Sequence, residues 1–260
     1  MKRDRFLAEN IMCEIYWDPD KVNNRIALYQ YGFPGSIGTN LLIDYLVELG
    51  FYVILPHFPG TFDSAGEFTP INTYNFYKKI NDSVVNGATI SLKNNKLLNI
   101  PLKIEYAFGH SYGCWTVLRG ARYLKELKTI FLFGPAITYS EYNFKSNCGL
   151  IENGLEHINM VIKSRPYTFR LNDVNSFLKL YKGDYDDFNI PLTLINNVIG
   201  VVGLNDPYFD LKRLRNRFNE IITSFFNDEI ECRLIEVEGG NHSLESLLNG
   251  QIKFQIESCL

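Results

Sequence analysis

A doubly wound, mostly parallel α/β sheet with an antiparallel N-terminal edge and a helical insertion is the architecture this 260-residue chain predicts. Three observations predict it. Five short apolar runs, at 26–29, 51–55, 104–108, 130–133 and 198–202, are bounded by turn residues and rich in β-branched and aromatic side chains. Such runs suit strands buried on both faces, as in a parallel sheet. Helical patterns lie between the runs, and strands alternating with helices mean βαβ units. Finally, about sixty residues between Gly134 and Asn196 carry no strong strand signal, far more than an ordinary connection needs.

The elements follow in order. Segments 11–17 and 25–29 flank Asp18-Pro19-Asp20, turn chemistry that predicts an antiparallel edge hairpin leading into the sheet. Leu41, Leu42, Tyr45, Leu46 and Leu49 form an apolar stripe at helical spacing, with Thr39 or Asn40 as N-cap and Gly50 as stop. Further helices are predicted over 114–124, directly after the third run, over 211–226 and over 243–256. A sixth strand at 232–237 alternates less cleanly and precedes the Gly239-Gly240 turn. The chain reads as one domain: residues 1–134 and 197–260 make the core, and 135–196 is an inserted cap or small helical subdomain.

Composition narrows the functional classes. Hydrophobic residues at 46% and charged residues at 21% are ordinary globular values and argue against disorder. A formal charge of −3, from 26 basic and 29 acidic residues, removes the broad attraction a nucleic-acid binder uses. The five cysteines are odd in number and scattered, with no C-x-x-C pair, so neither a disulfide framework nor a zinc site is expected. Glu9, Asn10 and Glu14 interrupt the stretch a signal peptide would need, and no run is long enough for a membrane span. The expectation is a soluble, cytoplasmic protein without metal or organic cofactor. A homo-oligomer is left open.

The sharpest local signal is Gly109-His110-Ser111-Tyr112-Gly113. Gly-x-Ser-x-Gly alone is weak, but here it follows a predicted strand and opens a predicted helix. A sharp strand-to-helix turn needs small neighbours and lifts the serine Oγ above the sheet edge. A serine needs a base, and the chain holds four histidines, His57, His110, His157 and His242. His242 lies in a glycine turn after the last strand, where a loop can bring its imidazole over Ser111. His110 sits in the turn itself and should point away. Asp206, just before Pro207 at the end of 198–202, is the expected orienting acid; Asp210, about one helical turn on, reads as a first-turn helix acid. The loop Tyr31-Gly32-Phe33-Pro34-Gly35-Ser36 offers the Phe33 amide, which with the Tyr112 amide could hold an oxyanion; Pro34 has no donor.

With oxyanion loop, serine, aspartate and histidine in that order, the chain from about Arg25 onward resembles the α/β-hydrolase family. The resemblance implies Ser111, Asp206 and His242 as the catalytic residues and Phe33 on the family's His-Gly-x-Pro loop. It also matches Pro59-Gly60-Thr61-Phe62-Asp63-Ser64-Ala65-Gly66 to the Gly-x-Gly-x-Ser loop after the fourth strand. Tyr31 stands where many members have histidine, and Phe62 replaces the second glycine. The implied activity is a serine hydrolase on a carboxylic ester, with a small-molecule acyl substrate. A peptidase, an acyltransferase, a lyase and a non-catalytic binding protein are the alternatives on the same residues. The resemblance also implies a cap over the serine. Of its aromatics Tyr139, Tyr142, Phe144, Tyr167, Phe169, Phe177, Tyr181, Tyr185 and Phe188, most are expected to be structural and a minority to line a pocket for an uncharged, partly hydrophobic ester.

Overall fold

Strand β1 (Lys2–Ala8) and strand β2 (Ile11–Trp17) form the antiparallel edge, and their register runs from Lys2 opposite Trp17 to Ala8 opposite Ile11. This computed structural model describes residues 1–33, 35, 37–137, 150–165, 168–171, 174–182, 195–226 and 230–260. The chain continues through β3 (Ile26–Gln30), α1 (Leu41–Glu48), β4 (Tyr52–Pro56), α2 (Asn72–Asn75), α3 (Tyr77–Val85) and β5 (Ile104–His110). After β5 come α4 (Tyr112–Gly120), β6 (Thr129–Phe133), α5 (Leu150–Ser164), α6 (Asn175–Lys182) and β7 (Asn197–Gly203). The last elements are α7 (Leu211–Phe226), β8 (Glu231–Val237), α8 (Leu244–Leu247) and α9 (Gly250–Ser258).

The eight strands make one sheet in the order β1-β2-β4-β3-β5-β6-β7-β8. The β2–β4 pair is antiparallel, and every pair from β4–β3 through β7–β8 is parallel. This corrects the predicted hairpin. β2 does not pair with the strand that follows Asp18-Pro19-Asp20; its partners are β1 on one side and β4 on the other. The turn residues redirect the chain without joining neighbours, because β4 occupies the place beside β2. The true hairpin turns at Glu9, whose φ of 55° lies in the left-handed region.

Burial explains the parallel core. β3, β4 and β6 are buried along their whole length, and β5 and β7 almost so. Continuous apolar runs are what a strand covered on both faces requires. Asn40 caps α1, its Oδ1 accepting from the Leu42 and Ile43 amides at 3.0 Å each. The helix predicted over 114–124 begins two residues earlier and ends in a 3₁₀ turn at Ala121–Tyr123. The one predicted over 243–256 is two helices, since the chain turns at Leu248 and Asn249 caps α9 through the Ile252 amide at 3.0 Å.

Part of the inserted stretch lies within the described residues and packs on the sheet's loops. Phe62 donates to the Thr168 carbonyl at 2.9 Å and Phe68 to the Arg170 carbonyl at 2.8 Å. Phe169 and Phe177 are both 2% exposed. Tyr139, Tyr142, Phe144, Tyr167, Tyr185 and Phe188 lie outside the described residues. Among the described residues, no helix is long and apolar enough to cross a membrane.

Candidate active site

Ser111 sits between β5 and α4 with φ 54° and ψ −121°, a backbone conformation few side chains adopt. Its neighbours explain how the turn tolerates it. A Cβ on Gly109 would lie 2.7 Å from the Cys114 Cα, and one on Gly113 would lie 2.2 Å from the Gln30 carbonyl oxygen. Both positions therefore admit only glycine, as the sequence argument required. The Ser111 amide donates to the Phe133 carbonyl at 2.9 Å, and its carbonyl accepts from Cys114 at 2.9 Å, so the turn is tied to β6 and α4.

Asp206 is fully buried just beyond the end of β7. Its Oδ1 accepts from the Tyr208 amide at 2.9 Å, and its Oδ2 lies 2.7 Å from His242 Nδ1. A carboxylate can only accept, so Nδ1 carries the proton and Nε2 is left as the acceptor. Asp210 does something else: it accepts from the Arg213 amide at 3.1 Å and pairs with the Arg213 side chain at 3.5 Å, at the start of α7.

The His242 ring lies between other groups. Tyr208 approaches it edge-on with centroids 4.8 Å apart, and Phe209 lies at 5.6 Å. On another side is Gly134, directly after β6; a Cβ there would stand 2.8 Å from His242 Cε1. His110 holds the same loop, its Nε2–H donating to the His242 carbonyl at 2.8 Å. Burial pushes the His110 pKa down to about 4, which keeps the ring neutral near pH 7. His110, expected to point away from the serine, binds the His242 backbone.

His57 is fully buried and does not line the cavity at Ser111, with Nε2 3.5 Å from Glu14 Oε1. The His157 side chain lies outside the described residues.

The candidate oxyanion loop comes close to the serine. A Cβ on Gly32 would be 2.8 Å from Ser111 Cβ and 3.4 Å from its Oγ. Phe33 follows Gly32, its ring stacked on Phe68 with centroids 5.1 Å apart and edge-on to Phe169 at 5.3 Å. Pro34 and Ser36 lie outside the described residues. Tyr31 ties this loop to the segment after β4. Its hydroxyl accepts from the Phe58 amide at 3.2 Å, and burial raises that phenol's pKa to about 12. Phe62 takes φ 45°, in the left-handed region that favours glycine, and packs on Tyr31 and His57 with centroids 6.4 and 5.5 Å away.

One cavity of about 310 Å³ is lined by Gly32, Phe33, Ser111 and His242, and also by Asn40 and Glu245. Among the described residues no three His, Cys, Asp or Glu side chains gather as metal ligands would. The serine hydroxyl and the imidazole in the cavity are groups that can transfer protons and attack a carbonyl.

Solved structures resemble this chain over nearly its whole length. DcsB, solved with a substrate analogue, aligns at TM-score 0.64 and 13% identity, covering 99% of this chain and 97% of that one. The Pyrococcus furiosus esterase Pf2001 aligns at TM-score 0.61 and 15% identity, covering 100% and 89%. The 2-hydroxy-6-oxo-6-phenylhexa-2,4-dienoate hydrolase of Rhodococcus sp. strain RHA1 aligns at TM-score 0.57 and 13% identity, covering 99% and 98%. The chain has the α/β-hydrolase fold. No family model matches the sequence, and no curated protein sequence does either. In this α/β-hydrolase fold Ser111, Asp206 and His242 all follow the carboxyl ends of parallel strands, where open α/β sheets bind ligands. Sequence reasoning missed Gly134 as a neighbour of the His242 ring, Glu245 as a residue of the cavity wall and His110 as a support. Gly134 alone left a sign, a glycine immediately after the apolar run 130–133.

Proposed function

We propose that the chain is a serine hydrolase that cleaves a carboxylic ester of a small molecule through an acyl-enzyme intermediate. One observation carries the reading: strained Ser111 shares a cavity with His242, whose Nδ1 is 2.7 Å from buried Asp206. In this reading His242 Nε2 takes the Ser111 proton as Oγ attacks the carbonyl carbon. Asp206 fixes the ring tautomer and stabilises the imidazolium that forms. The Phe33 and Tyr112 amides hold the oxyanion. His242 then protonates the departing alcohol and activates water for deacylation. Residues 135–196 act as the cap, an assignment supported by the seating of Thr168 and Arg170 on the 60–68 loop.

The test is turnover of a panel of esters by wild type and Ser111→Ala, with fluorophosphonate labelling in parallel. Ser111→Ala should lose labelling and several orders of magnitude of turnover, retaining only ~10³–10⁴ over water. Undiminished ester turnover in that variant would refute the mechanism.

A further inference from the structure

The cavity at Ser111 has a charged wall that the proposed chemistry does not use. Glu245 lies in the first turn of α8, three residues after His242, and lines the cavity together with Ser243 and Asn40. Among the described residues it is the one carboxylate on that wall, and no cation pairs with it. Two other polar residues of the wall accept backbone hydrogen bonds. Asn40 Oδ1 accepts from two α1 amides, and Ser243 Oγ accepts from the Ser246 amide at 3.4 Å.

The direction of the chemistry gives this wall a role. Whatever leaves the acyl carbon must take its proton from His242, so the departing group lies on the His242 side of Ser111. Glu245 follows His242 by three residues and lines the same cavity. We propose that Glu245 determines specificity there, favouring esters whose alcohol part carries an ammonium group and disfavouring those whose alcohol part carries a carboxylate. The inference rests on the hydrolase reading above and departs from the expectation of an uncharged ester. The field of this carboxylate reaches the cavity wall: burial chiefly raises the pKa of Tyr29, which lines the same cavity, and Glu245 adds to the rise.

The test compares three acetate esters that differ in the charge of the alcohol: 2-(trimethylammonio)ethyl acetate, its uncharged carbon isostere 3,3-dimethylbutyl acetate, and acetoxyacetate. Wild type at low salt should rank them cation, neutral, anion, with a cation-to-neutral ratio in kcat/KM of up to about fivefold, as an exposed charge gives. Glu245→Gln should bring that ratio to about one and Glu245→Lys should invert it, while added salt should shrink it in wild type. A ratio unaltered by both substitutions, in variants that melt as wild type does, overturns the proposal. If no ester is turned over and Ser111 resists fluorophosphonate, the hydrolase reading fails instead. Calorimetric binding of tetramethylammonium to wild type and Glu245→Gln then decides: weaker binding in the variant supports a cation site, and equal binding or none in both overturns it.

Discussion

His110 Nε2 donates to the backbone carbonyl of His242 at 2.8 Å, so the residue before the candidate nucleophile holds the loop that carries the candidate base. His110→Ala removes that donor and should lower kcat/KM by about tenfold or more, the range expected for one buried hydrogen bond. His110→Asn, which keeps a donor, should recover part of the loss. Equal activity in all three proteins would show that the bond does not position His242.

His110 also has a pH signature in stability. Burial holds His110 down at about 4 in the folded chain, below the ordinary 6.5. The unfolded chain therefore binds the extra proton first. The stability from neutral His110 is complete above about pH 6.5 and is lost as pH falls toward 4. Urea unfolding between those limits should show a decline that His110→Asn removes.

The choice between two neighbouring acids is testable. Asp206→Asn should cost up to ~10⁴ in turnover, because an amide can hold the imidazole in the wrong tautomer. Asp210→Asn should cost little activity and only a few tenths to about 1 kcal/mol of stability, since Asp210 bonds the Arg213 amide at the start of α7. Reversed effects in steady-state kinetics would reassign the acid.

These two acids also show what the sequence makes legible. Ser111, Asp206 and His242 stand in turns directly after apolar runs, and a run plus its turn is a local pattern. Sheet order is not local. β1 reads Lys-Arg-Asp-Arg before its first buried aromatic, Phe6, because its outer edge faces water, so it carries no strand-like alternation. The Asp18-Pro19-Asp20 turn suggests neighbours that β4 separates. Gly134 and His110 matter through contacts with His242 made across about one hundred residues or more of chain, which no spacing in the sequence reveals.

Gly134→Ala tests the packing around the base. Its φ is 54°, and the added Cβ would lie 2.8 Å from His242 Cε1, so either the backbone or the imidazole must shift. A displacement near 1 Å in a catalytic group costs about 10²-fold. The expectation is a fall of that order in kcat with labelling of Ser111 slowed in step, while the melting temperature drops by only a few degrees. Unchanged kcat would mean the ring has room the structure does not provide.

The last prediction concerns Glu14, which the sequence offered only as an interruption in an apolar stretch. In the structure it is fully buried on β2, yet bonds Arg3, Tyr16 and, at 2.9 Å, Arg5, with His57 at 3.5 Å. Burial alone would raise its pKa, but the nearby His57 ring and the hydrogen bonds from Tyr16 and Arg3 outweigh that and hold it down at about 2. The folded value lies below the unfolded one, so its stabilisation is present above about pH 4.5 and is lost as pH falls through that window toward 2. Glu14→Gln should destabilise the fold by about 1–3 kcal/mol at pH 7, because buried donors lose a charged acceptor while the half-exposed arginines recover water. The same variant should unfold with less dependence on pH between 4.5 and 2 than wild type does. Ester turnover near pH 7 should persist in the folded fraction, since Glu14 does not line the Ser111 cavity. Denaturant melts of both proteins across that acid range decide the matter: parallel curves would mean that Glu14 is not the group whose protonation weakens the β1–β2 edge.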